Sequence, residues 1–138
     1  MEREELIGVI KGFFEAMNDH DVETMGGYCA EGVVADEVAE PETFDGVDHF
    51  KKSYSELFQG YPDCTAEVEQ WVVDGDAVVC QVRWRGTNSG VFRGSEPTGK
   101  KVDIRIAYFF NLKDGKIDRI TEYYDVATIM VQQGQLEL

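Results

Sequence analysis

Glu122 is the residue of this chain best placed to do chemistry. It sits in the run Ile120-Thr121-Glu122-Tyr123-Tyr124-Asp125. Alternate side chains of a strand share a face, so Glu122 lies beside Ile120 and Tyr124. A carboxyl held among apolar and aromatic neighbours loses solvation, which disfavours its anion and raises its pKa. Such an acid can take a proton from a carbon next to a carbonyl and return it elsewhere. Tyr108, on the preceding alternating run, carries a phenol able to donate to the enolate formed between those events. Asp36 is a second acid, either catalytic or a rim residue. A set of this kind serves intramolecular aldol cyclisation or isomerisation without a cofactor.

The elements that must position these groups follow from periodicity. Leu6, Ile7, Ile10, Phe13, Phe14 and Met17 recur at helical spacing, which predicts an amphipathic helix over Glu4 to Met17. Asp21, with Thr24 three residues on, caps a second short helix carrying Met25 and Tyr28. Val33 to Val38 reads as a short strand bearing Asp36, and Val47 to Phe58 as a third helix. After Gly60 the period changes to two. Strands are expected over Thr65 to Val73, Ala77 to Gly86, Val102 to Leu112 and Ile117 to Asp125, with turns at Asp74-Gly75-Asp76 and Asp114-Gly115. Thr87 to Glu96 reads as a polar, glycine-containing loop. Helices first and antiparallel strands later predict one α+β domain over residues 1–138, three N-terminal helices packed on one face of a strongly curved sheet.

Helices cannot fill a strongly curved sheet to its bottom, so this architecture encloses a conical pocket. Its walls are expected at Phe13, Met17, Tyr28, Asp36, Tyr54, Val82, Trp84, Ile106, Tyr108, Ile120, Glu122 and Tyr124. An apolar cavity with few polar groups suits a small hydrophobic molecule. The plain alternative is a packed core with two tolerated acids.

Composition narrows the partners. A net charge of −14 over 138 residues repels nucleic acid. No apolar run approaches the roughly 20 residues of a membrane span. The acidic start Met1-Glu2-Arg3-Glu4-Glu5 is unlike a signal peptide, so a cytoplasmic protein is expected. Cys29, Cys64 and Cys80 are scattered, and His20 and His49 stand alone in polar company, which argues for reduced thiols and against structural zinc. With no phosphate loop and no zinc-protease helix motif, no metal, nucleotide or flavin cofactor is expected. Apolar outward positions at Ala107 and Phe109 predict a homodimer through the convex sheet face.

The order and spacing of several short motifs resemble the NTF2-like superfamily, and within it the SnoaL-like polyketide cyclases. They are Phe13-Phe14-Glu15-Ala16-Met17-Asn18, Tyr28-Cys29-Ala30-Glu31, Gly46-Val47-Asp48, Tyr61-Pro62-Asp63, Val73-Asp74-Gly75-Asp76, Trp84-Arg85-Gly86-Thr87, Pro97-Thr98-Gly99-Lys100, Asp114-Gly115-Lys116-Ile117 and Tyr124-Asp125. The resemblance implies a cone-shaped α+β barrel, usually dimeric, and a choice of activities that includes cyclases, ketosteroid isomerases, epoxide hydrolases and non-catalytic binders. It implies that Glu122 stands where such enzymes carry a catalytic Asp on the last strand. Tyr108 stands where cyclases often have His, and Asp36 lies close to the isomerase base. Phe13 replaces the isomerase oxyanion-hole Tyr, so that dyad is broken. Two readings stay open: a cofactor-independent proton-transfer enzyme of cyclase or isomerase type acting on a hydrophobic carbonyl compound, and a non-catalytic binding or dimeric interaction domain. Hydrolase or dehydratase chemistry is the minor alternative.

Overall fold

A computed structural model describes residues 1–137. The chain runs α1 (Arg3–Asn18), α2 (Val22–Gly27), β1 (Cys29–Glu37), β2 (Phe44–Asp45), α3 (Val47–Gly60), β3 (Thr65–Asp74), β4 (Ala77–Thr87), β5 (Lys101–Lys113), β6 (Lys116–Tyr124) and α4 (Val126–Gln132). The strands form a single sheet in the order β2-β1-β6-β5-β4-β3. Every neighbouring pair is antiparallel except β1 with β6, which is parallel. Bulges interrupt β3 at Glu69 and β6 at Asp118, the latter opposite Asn111 and Leu112 of β5. Each bulge bends its strand and sharpens the twist, so the sheet curls around the helices laid on it. This is the α+β architecture the sequence predicts, with helices on a curved, mainly antiparallel sheet.

The two short helices start the same way. Asp21 accepts from Thr24 N over 3.1 Å and from the Thr24 hydroxyl over 2.6 Å. Asp125 accepts from Thr128 N over 3.1 Å and from its hydroxyl over 2.7 Å. The second of these caps opens α4, a helix after the last strand that joins the three expected N-terminal helices, so the described residues hold four. α4 is then fastened to β5 by glutamines acting as a false strand edge. Gln132 Oε1 accepts from Asp103 N over 2.8 Å, and Gln132 Nε2 donates to Asp103 O over 2.9 Å.

The closing hairpin turns through Asp114 at φ 51° and Gly115 at φ 78°. Positive φ at both central positions matches the strand twist, which is why Asp-Gly suits this turn. The inner face of β4 carries Val78, Cys80, Val82 and Trp84, and that of β5 carries Val102 to Leu112 at even positions, all buried. Against them α1 and α3 pack an aromatic cluster in which Phe13 meets Phe110 edge-on at 5.5 Å and Phe14 meets Tyr108 at 5.3 Å. No helix among the described residues is long and apolar enough to cross a membrane.

Candidate active site

The cavity lies at one end of the sheet, where the packed aromatic cluster stops. It has a volume of about 130 Å³ and is lined by Glu37, Glu40, Leu57, Tyr61, Trp84, Phe92, Arg93, Val102, Ile104, Ile106, Tyr108, Glu122, Tyr124 and Ile129. A dry engineered cavity of about 150 Å³ holds a benzene ring, so this one is sized for a single small ring, with anything longer protruding through the mouth. Tyr61 stands edge-on between Trp84 at 5.1 Å and Phe92 at 5.6 Å, forming an aromatic wall. The aliphatic side chains cover the rest of the surface toward α4.

The polar groups gather as one row across the inner face of the sheet. Glu122 on β6 pairs directly with Tyr108 on β5 and, on its other side, with Glu37 at the end of β1. From the helical layer, the Tyr54 phenol donates to Glu122 Oε2 over 3.4 Å. Tyr124, two residues beyond Glu122 on the same face, donates to Glu37 Oε1 over 3.4 Å. Glu122 is only 6% exposed. Burial pushes its pKa well above the ordinary carboxylate value and the charge of Glu37 pushes it further, while the phenols of Tyr108 and Tyr54 and the more distant Arg93 pull the other way. Burial likewise raises Glu37, against the opposing pull of Arg93. Tyr54 and Tyr108 are pushed well above the usual phenol range by burial and then by Glu122, so both remain donors at neutral pH.

Arg93 comes from the loop between β4 and β5. Asn88 staples that loop: its side chain donates to Gly60 O over 3.2 Å and to Gly90 O over 3.0 Å, and accepts from Thr98 N over 2.9 Å. A Cβ on Gly90 would lie 2.0 Å from Gln59 O, so only glycine lets the loop descend onto the end of α3. The Arg93 guanidinium reaches Glu37 at 3.6 Å, Glu40 at 3.1 Å and Glu56 at 3.9 Å, and lies over the rings of Phe92 and Phe44. No group of three or more His, Cys, Asp or Glu among the described residues is arranged to hold a metal ion. The thiols of Cys29, Cys64 and Cys80 are pushed up to about 12 by burial.

Of the wall residues expected from sequence, the structure brings Trp84, Ile106, Tyr108, Glu122 and Tyr124 to the cavity, with Tyr54 bonded to Glu122 at its floor. Phe13, Met17, Val82 and Ile120 face inward but are fully packed, so the cavity is shallower than the expected cone. Tyr28 lies elsewhere, with its hydroxyl over Gly12 of α1. Asp36 is not in the cavity. Its carboxylate bonds Arg119 over 2.9 Å on the other side of the sheet. The parity of β1 explains this: Val33 and Ala35 are buried, and the next position on their face is Glu37. That alternation was the available signal for Glu37. No sequence signal points to Phe92 and Arg93, whose position depends on the loop staple.

The family profile for the SnoaL-like polyketide cyclases matches residues 8–133. No curated protein matches the chain. Among solved structures, a protein from Jannaschia sp. CCS1, named as a SnoaL-like polyketide cyclase, superposes with a TM-score of 0.88 at 22% identity over 99% of each chain. IdmH from Streptomyces antibioticus, named as a polyketide cyclase, gives 0.78 at 26% identity over 94% of this chain and 98% of its own. A protein of ketosteroid isomerase-like fold from Catenulispora acidiphila, solved with trimethylamine, gives 0.79 at 13% identity over 93% of each chain.

Proposed function

The chain belongs to the SnoaL-like polyketide cyclase family, and from that premise we propose that it is a cofactor-independent proton-transfer enzyme acting on a small hydrophobic carbonyl compound. One observation carries this reading. The Glu122 carboxyl is sequestered in a largely apolar cavity with the phenols of Tyr54 and Tyr108 beside it.

The ring or chain of the substrate lies along Tyr61, Trp84, Phe92 and the aliphatic wall, with its carbonyl toward Tyr108 and Tyr54. Glu122, as the carboxylate, takes a proton from the carbon next to that carbonyl. The C–H electron pair passes into the enolate, whose oxygen accepts from a phenol. In a cyclisation the enolate carbon then bonds to a second carbonyl of the same molecule, and the new alkoxide takes the proton back from Glu122. In an isomerisation the proton returns to a different carbon. Neither route consumes a cofactor. The three unpaired buried cysteines suit a reducing compartment, and on that ground we propose a cytoplasmic location.

The second reading, a binding module without catalysis, is favoured by the small size of the cavity and by the hydrogen bond that already satisfies Glu122. Deuterium exchange at the carbon next to the carbonyl of 2-tetralone in heavy water separates the two. An enzyme accelerates the exchange and loses that power in Glu122→Gln, whereas a binder perturbs the probe without accelerating its exchange.

A further inference from the structure

The strand registers place a second carboxyl beside the first. Val38 N donates to the Glu122 carbonyl over 3.1 Å, which pins the end of β1 to β6 at this level. Glu37 and Glu122 are therefore direct partners in the parallel pair, on strands about 4.8 Å apart. Both line the cavity. They are held differently. Glu122 has the neutral phenol of Tyr54, while Glu37 has the phenol of Tyr124 and the Arg93 guanidinium at 3.6 Å. Arg93 sits in a left-handed backbone conformation at φ 47°. For a residue with a Cβ this conformation is strained, and it persists only where the surroundings hold it. Here they do so through two aromatic faces and three carboxylates.

We propose that Glu37 is a positioning residue for the proton on Glu122: Arg93 holds Glu37 as the anion, and that fixed negative charge makes Glu122 a strong enough base to take a proton from a substrate carbon at neutral pH. The inference rests on the proton-transfer reading above. In the step itself the C–H bond breaks, its electron pair enters the enolate and the proton bonds to Glu122. Glu37 gains and loses no atom. Two adjacent carboxyls cannot both ionise cheaply, and only Glu37 has a cation against it. The other charged or titratable groups around the pair are Tyr54 and Glu56 on α3, Glu40 on the turn after β1, Arg93 on the loop, Tyr108 on β5 and Tyr124 on β6. Among them Arg93 is the single cation, and after burial the charge of Glu37 is the largest influence raising Glu122.

The test is a carbon-13 NMR titration of the whole chain, labelled at glutamate Cδ, with no ligand present. The two carboxyls should titrate as a coupled pair above the ordinary glutamate range. Glu37→Gln should move the Glu122 midpoint to lower pH. Arg93→Gln should move the pair to higher pH, and it carries the test if Glu37→Gln does not fold. The pH–rate profile for exchange into 2-tetralone should move its acid limb in the same directions, which a purely structural Glu37 would not do. A Glu122 midpoint unmoved in a folded variant overturns the proposal. Because the titration needs no substrate, the two readings fail separately. An unmoved midpoint beside an inactive Glu122→Gln ends the role of Glu37 alone, and a fully active Glu122→Gln ends the proton-transfer reading and this inference with it.

Discussion

The phenol of Tyr54, midway along α3, donates to Oε2 of Glu122 on β6 across 3.4 Å and 68 residues of sequence. This is the point where the helical layer touches the polar row of the sheet. It explains how a carboxyl is tolerated where the core would otherwise be sealed by aliphatic groups: a buried acid without a partner would cost several kcal/mol, and here one donor comes from each layer.

Removing either phenol should weaken the site without destroying it. Tyr54→Phe leaves Tyr108 facing Glu122, and Tyr108→Phe leaves Tyr54. Each should lower turnover by about tenfold, because the remaining donor still reaches the developing oxyanion. Each should also lower stability by about 1–3 kcal/mol through loss of a buried hydrogen-bond partner. Paired melting and exchange-rate measurements check both numbers.

The raised pKa of Glu122 fixes a sign for stability against pH. Its native value lies above the ordinary 4.5, so its contribution to stability is full below 4.5 and is lost as pH climbs through the native value. Glu122→Gln has no such loss. The melting temperature of the Gln variant relative to wild type should therefore increase as pH rises from about 4.5 toward alkaline values. Asp21 and Asp125, lowered below 3.8 chiefly by the hydroxyls of Thr24 and Thr128, act in the opposite sense. Their contribution is present above 3.8 and is lost as pH falls. A constant offset between the two melting curves would contradict the assignment for Glu122.

Gly90→Ala tests the loop that carries Phe92 and Arg93. Its Cβ would meet Gln59 O at 2.0 Å, which forces the loop off the end of α3. The expected cost is about 1–3 kcal/mol, as for other overpacked sites. Turnover should fall with it, because two of the cavity walls move. A substitution at Gly94, which has open space around its Cβ position, controls for general loop effects, although its φ of 82° adds strain of its own.

The outer face of the sheet carries Phe109 and Tyr123 edge-on at 5.6 Å, 42% and 51% exposed, with Val72 at 48%. We propose that a second copy of the chain covers this face. Light scattering at tens of micromolar should give the mass of a dimer, and Phe109→Glu should give a monomer of unchanged secondary structure. A monomer mass for the wild-type chain would contradict the proposal.

Most of the framework was legible in the sequence because periodicity reports which face of an element turns inward. Alternation placed Trp84, Ile106, Tyr108 and Glu122 on the inner side of their strands, and the Asp21 cap and the Asp114-Gly115 turn follow from local chemistry. Periodicity does not report depth. Phe13, Met17, Val82 and Ile120 face inward as expected but lie in packed core, because how far the helices fill the sheet is decided by their joint packing. Asp36 is expected among the inward positions of its strand, but the parity set by the buried Val33 and Ala35 turns Glu37 inward instead. The cap at Asp125 repeats the Asp21 pattern and could have revealed α4, and with it Ile129 at the cavity. Arg93 was not accessible to such reasoning, because its place depends on Asn88, Gly60 and Gly90 meeting in three dimensions.

Glu122→Gln tests the central claim most directly. The substitution keeps the size of the side chain and its acceptor for the Tyr54 phenol while removing the titratable acid. The measurement is the rate of deuterium exchange into 2-tetralone per folded molecule, with probe binding confirmed by chemical-shift changes and folding by melting temperature. The account predicts that wild type accelerates the exchange and that Glu122→Gln, folded and still binding the probe, loses about 10²-fold or more of that rate. A folded Gln variant that exchanges the bound probe as fast as wild type would contradict it.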